Sequence, residues 1–123
     1  MQPLHVFLLQ SDPGTSQSLV ASLGKAFRLV QQAPSLNQLR SSLTTDGAGI
    51  VVVDMELVSM RDVERLSHDF PGARIICNHR LADEKMWTAS LNAGAADCCP
   101  SYDTRGILRA ALQTDPEVNR AAA

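Results

Sequence analysis

No apolar run in this sequence approaches the ~20 residues that cross a bilayer as a helix. The N-terminus has neither a basic stretch nor a small-residue cleavage site. Neither a membrane span nor a secretory signal is expected, and the chain reads as soluble and cytoplasmic. Charge of one sign is also missing: 11 Lys and Arg stand against 13 Asp and Glu, a net charge of −2. Acids and bases are interspersed, with no basic stripe for direct nucleic-acid binding. Cysteine is scarce. Cys77, Cys98 and Cys99 are odd in number and two are adjacent, which makes neither a disulfide framework nor the spaced ligands of a zinc site. They suit small apolar positions in buried strands, with a redox role for the Cys98–Cys99 pair as the alternative. No glycine-rich phosphate loop follows the first apolar run, where Asp12-Pro13-Gly14 is only a turn, so a dinucleotide site lacks its signature. No nucleophile elbow surrounds a serine or cysteine. The expectation is a protein that is not an enzyme.

What is present is an alternation. The 123 residues, 45% of them hydrophobic, suffice for one buried core and leave little room for a second. Leu4 to Leu9 reads as a strand, ended by Asp12-Pro13, a helix-start signal. Leu19, Val20, Leu23 and Phe27 follow on one helical face. Leu29 to Gln32 is a short second strand. Ser35 then suits an N-cap for a helix carrying Leu36, Leu39 and Leu43. Gly47 to Gly49 breaks the chain before Ile50-Val51-Val52-Val53. That run is β-branched and apolar on both faces, as the centre of a parallel sheet covered on each side should be.

The same rhythm continues. Val63, Leu66 and Phe70 mark a third helix closed by Pro71-Gly72, and Ile75-Ile76-Cys77 a fourth strand. Asp83 caps a fourth helix, with Met86 and Trp87 packing inward beside Leu91; the alternative is a partly exposed Trp87 that anchors a partner. A strand around Asp97-Cys98-Cys99 follows. Asp103 or Thr104 then caps a last helix with Ile107, Leu108, Ala111 and Leu112 on one side. Five β-α units predict an α/β fold: an open, doubly wound, five-stranded parallel sheet with right-handed crossovers. Residues 1–113 form the domain, and 114–123, without apolar period, a flexible tail or linker.

In such a fold, sites gather beyond the carboxyl ends of the strands. Gln10-Ser11-Asp12, Asp54, Asn78-His79 and Pro100-Ser101 fall there. Asp54 follows the most buried strand, where an acid is costly unless solvated or paired. It either serves a site or caps the next loop. His79 near Asp54 is drawn as an acid–base pair. His5 and His68 read as ordinary strand and surface residues.

The segments LHVFLLQSDP, GIVVVDMELVSM, ARIICNHR and AGAADCCPSYD resemble, in order and spacing, the receiver domains of two-component response regulators. The resemblance runs from Leu4 to about Leu112. Its most specific parts are the acid after the third strand and the Ala93-Gly94-Ala95 turn before the fifth. It implies a flavodoxin-like, receiver-type three-layer sandwich. It also implies that Asp54 is the phosphoacceptor for a histidine kinase. An acidic pair after strand one would hold Mg²⁺, helped by a main-chain oxygen at Glu56. A Thr or Ser after strand four and a Lys after strand five would meet the phosphoryl group.

This sequence departs from that pattern. The acidic pair falls on Gln10 and Ser11, with Asp12 beside them. The Thr/Ser position is Asn78, followed by bulky His79. The Lys position is Ser101, or Cys99 if Pro100 matches the family's proline. The switch aromatic corresponds to Cys98. Phosphoryl transfer needs its charge neutralised by metal and a fixed cation, and Mg²⁺ needs hard oxygen ligands in near-octahedral array. Asp12, Asp54 and Glu56 are therefore expected to bind Mg²⁺ weakly, with Arg80 or His79 as stand-in cations, and no other cofactor is expected. The reading is a degenerate receiver acting through protein contacts, its partner a histidine kinase or an output or regulatory protein. A homodimer through the fourth helix, fifth strand and fifth helix is also expected. The alternatives are a conventional receiver phosphorylated on Asp54 and a small α/β enzyme or cofactor binder using Asp54 and His79.

Overall fold

The computed structural model describes residues 5–46 and 49–113. The predicted tail at 114–123 lies outside them, as do Leu4 and the Gly47-Ala48 break. Five strands alternate with five helices: β1 (His5–Leu9), α1 (Pro13–Leu23), β2 (Leu29–Gln32), α2 (Leu36–Asp46), β3 (Gly49–Asp54), α3 (Met60–Asp69), β4 (Ala73–His79), α4 (Glu84–Asn92), β5 (Asp97–Pro100) and α5 (Thr104–Leu112). All pairings are parallel, in the order β2-β1-β3-β4-β5. Among the described residues no helix is long and apolar enough to cross a membrane.

The core has two layers because successive strand side chains point to opposite faces. Phe7, Leu9, Val51, Val53, Ile75, Cys77 and Cys98 face α2, α3 and α4. Val6, Leu8, Ile50, Val52, Ile76 and Cys99 face α1 and α5. β3 is buried along its whole length, as a central strand covered twice must be. Burial lifts the Cys77 and Cys99 thiols, each to about 12.

Side-chain caps set the helix starts. Asp12, Ser59, Asp83 and Asp103 each accept a backbone N–H from the first turn, and Ser35 Oγ accepts from Gln38 N at 3.2 Å. Each satisfies a donor that the helix itself cannot. After α4 the chain turns sharply at Gly94, whose φ of +107° is left-handed. A Cβ there would also run into the Ser67 side chain on α3.

Helix phase corrects three expectations. α1 ends at Leu23, so Phe27 reaches the core from the connecting loop. On α4 the inward residues are Met86, Ser90 and Ala93, at i, i+4 and i+7. Trp87 is one residue out of phase and stands 45% exposed, its indole N–H donating to Asp97 Oδ1 on β5 at 3.1 Å. On α5 the inward residues are Ile107, Ala110 and Ala111, while Leu112 turns outward.

Candidate functional site

β1, β3, β4 and β5 end side by side, and their carboxyl ends bring residues 10–12, 54–56, 78–80 and 101 together. The β3–β4 register pairs Asp54 with Asn78 directly. Asp54 is only 4% exposed and is held from two sides. Its Oδ2 accepts from Ser11 N at 2.9 Å and Ser11 Oγ at 2.5 Å, and its Oδ1 accepts from Glu56 N at 2.9 Å. Three hydrogen bonds to the carboxylate are what a buried acid needs in place of water.

Beside it lies a second, neutral network. Gln10 Nε2 donates to Asn78 Oδ1 at 2.8 Å, and Asn78 Nδ2 donates back to Gln10 Oε1 at 3.0 Å. Gln10 Nε2 also reaches the Val52 carbonyl at 3.2 Å. Asn78 Nδ2 donates further to Ser101 Oγ at 2.8 Å. Asn78 is fully buried, and among the described residues no buried side-chain nitrogen or oxygen is left without a partner.

The charged residues sit at the rim. Arg80 donates through Nε at 2.9 Å to Glu56 Oε1, which its Nη2 meets at 2.6 Å. Glu56 Oε2 lies 3.3 Å from Ser11 Oγ. Asp12 instead caps α1: its Oδ2 accepts from Thr15 N at 2.8 Å and Thr15 Oγ1 at 3.0 Å. Those bonds hold its carboxyl below the usual value, with a smaller contribution from the charge of Arg80. Among the described residues no three His, Cys, Asp or Glu side chains are grouped to hold a metal ion.

The predicted Asp54–His79 pair does not form. His79 Nδ1 accepts from Leu81 N at 3.0 Å, and the carboxylate near its Nε2, at 4.0 Å, is Glu56. The strand-end residues named from sequence do converge, but the amide pair between positions 10 and 78 and the Arg80–Glu56 ion pair were missed. No sequence pattern signals contacts between residues so far apart.

No protein-family model matches the chain, and no curated protein matches it. Solved structures do. A response regulator from Thermotoga maritima superimposes with a TM-score of 0.77 at 20% identity, over 89% of this chain and 93% of that one. The isolated REC domain of RcsB from Salmonella enterica serovar Typhimurium gives 0.72 at 15% identity, over 97% and 98%. A CheY-like protein, tadZ, from Pseudomonas aeruginosa PAO1 gives 0.67 at 23% identity, over 94% and 100%.

The fold is that of a response-regulator receiver domain. Within the receiver fold, Asp54 holds the strand-three position that the sequence resemblance assigned to the phosphoacceptor. Gln10, Ser11 and Asn78 stand where the resemblance has acids and a hydroxyl, and Ser101, or Cys99, where it has a lysine. Several exposed large hydrophobic side chains lie on or beside the α4–β5–α5 face. Trp87 and Leu112 are about half exposed, Leu81 and Tyr102 more so.

Proposed function

We propose that this receiver-fold domain is a signalling module of the two-component type that works through protein–protein contact, with weak or no phosphorylation at Asp54. The observation that carries the reading is the engagement of the Asp54 carboxylate by Ser11 and the Glu56 amide. The donor set does not fit Mg²⁺. Asp12 is turned to its helix cap, Glu56 to Arg80, and the remaining neighbours are neutral amides and hydroxyls. Mg²⁺ gives up its hydration shell reluctantly and needs oxygen ligands in near-octahedral array.

The α4–β5–α5 face is the proposed contact surface. Its α4–β5 side carries Asp83, Glu84 and Asp97 against Lys85, while α5 carries Arg105 and Arg109 and no acid. Under a two-fold axis the acidic side of one copy meets the basic side of the other, the self-complementarity a symmetric dimer requires. A histidine kinase or an output protein is the alternative partner class for the same face, and the cytoplasm is the compartment that fits.

A Mg²⁺ titration followed by Trp87 emission, with and without beryllofluoride, tests the reading. The indole is tied to Asp97 on β5, so its emission reports on the face. Unchanged emission is expected; saturable tight binding of both ions overturns the proposal. That outcome would favour a conventional phosphoacceptor, a reading supported by the place of Asp54 at the carboxyl end of the central strand.

A further inference from the structure

The donors around Asp54 form a continuous path from the pocket to the α4–β5–α5 face. Ser11 Oγ lies between two carboxylates, 2.5 Å from Asp54 Oδ2 and 3.3 Å from Glu56 Oε2. Its one hydroxyl proton goes to Asp54, the shorter contact, and the oxygen stands between the two acids. Arg80 supplies the positive charge at the same rim, through its two contacts with Glu56. One residue before Ser11, Gln10 is locked to Asn78 by two reciprocal amide bonds. Asn78 holds Ser101, whose own N–H donates to the His79 carbonyl at 3.1 Å. Ser101 opens the β5–α5 loop, two residues before the Asp103 cap of α5.

We infer that Ser11 and Arg80 take over, as parts of the chain, the bridging and charge-balancing roles of a cation, and that Gln10, Asn78 and Ser101 then clamp the β5–α5 loop in one position. The face is accordingly presented without any ion or phosphoryl group. A switch needs two arrangements of similar energy and a ligand that prefers one of them. Here every buried side-chain nitrogen and oxygen of the clamp has a partner, and releasing Asn78 would strand its fully buried amide. Cys98, where the resemblance has an aromatic switch, is small and buried, so no large ring stands ready to rotate there. Gln10, Asn78 and Ser101 are positioning residues: they act on the face through the loop.

This inference rests on the receiver-fold reading of the pocket but not on any partner, so the two fail separately. The experiment is amide hydrogen exchange on the full chain, with and without millimolar Mg²⁺ and beryllofluoride. Wild-type exchange at residues 80–87 and 97–105 is expected to ignore both additions. Ser101→Ala is expected to speed exchange at 97–105 about tenfold while leaving β1 and β3 unchanged. Ser11→Asp is expected to make exchange at 80–87 depend on Mg²⁺. Three results overturn the clamp: a wild-type response to Mg²⁺, a Ser101→Ala effect that is absent or uniform along the chain, or a Ser11→Asp variant indifferent to Mg²⁺. If Ser11→Asp does not fold, Ser11→Ala takes its place. Faster exchange at 80–87 then supports the clamp, and none refutes it. A face that binds nothing in solution defeats the proposed function and leaves the clamp standing.

Discussion

Gln10 and Asn78 form a closed amide pair, each side chain donating to the other across the ends of β1 and β4. Asn78 has no exposure at all, so its bonds have no water to replace them. Asn78→Ala strands Gln10 and Ser101 together. The expected cost is about 1–3 kcal/mol, the penalty for leaving buried polar groups unmatched. Urea denaturation checks it, and a change within error would mean that Gln10 re-solvates freely.

Gly94 is a second sensitive point. Its φ of +107° disfavours any L side chain, and the Ser67 hydroxyl occupies the space a Cβ would enter. Gly94→Ala is expected to lower stability by about 1–3 kcal/mol. Adding Ser67→Gly should recover part of that loss, since it removes the clash and leaves the backbone strain. Full recovery in the double variant would show that strain contributes nothing.

In the core, Leu19 of α1 and Leu66 of α3 have no exposure and lie on opposite faces of the sheet. Either one changed to Ala should cost about 2–5 kcal/mol, by lost burial and a residual cavity. Because the two layers are separated by the sheet, the double variant should be additive within about 0.5 kcal/mol. Thermal or chemical denaturation of the three variants decides it.

Burial pushes the Cys77 and Cys99 thiols up to about 12, and the thiolate is the reactive form. Both should resist an alkylating reagent at pH 8 in the native protein and react once it is unfolded in urea. Rapid native labelling of either would contradict their burial.

Asp12 gives a pH dependence whose sign can be worked out. Its folded pKa lies below the ordinary 3.8, chiefly through the Thr15 backbone N–H and then the Thr15 hydroxyl. A depressed folded value means a contribution present above pH 3.8 and lost as the pH falls through the lower folded value. Asp12→Asn keeps an N-cap acceptor without the titration. Its stability should therefore match the wild type more closely in acid than at pH 7. Denaturation midpoints at a series of pH values measure the difference, and parallel curves would rule the contribution out.

The sequence by itself determined the elements and their kind. Short β-branched apolar runs bounded by turn residues, such as Ile50-Val51-Val52-Val53 after Gly49, point to covered strands, and the Asp and Ser caps mark where helices begin, because both signals are local. It also singled out Asp54, since a carboxylate next to a fully buried run needs a special environment. Tertiary structure decided the rest. The strand order, with β1 inside and β2 at the edge, brings Gln10 to Asn78, which lie 68 residues apart along the chain. A single position of helix phase decided that Met86 is inward while Trp87 faces solvent. Periodicity shows that a helix has an apolar side; which residues at its margin are covered depends on the neighbours it meets.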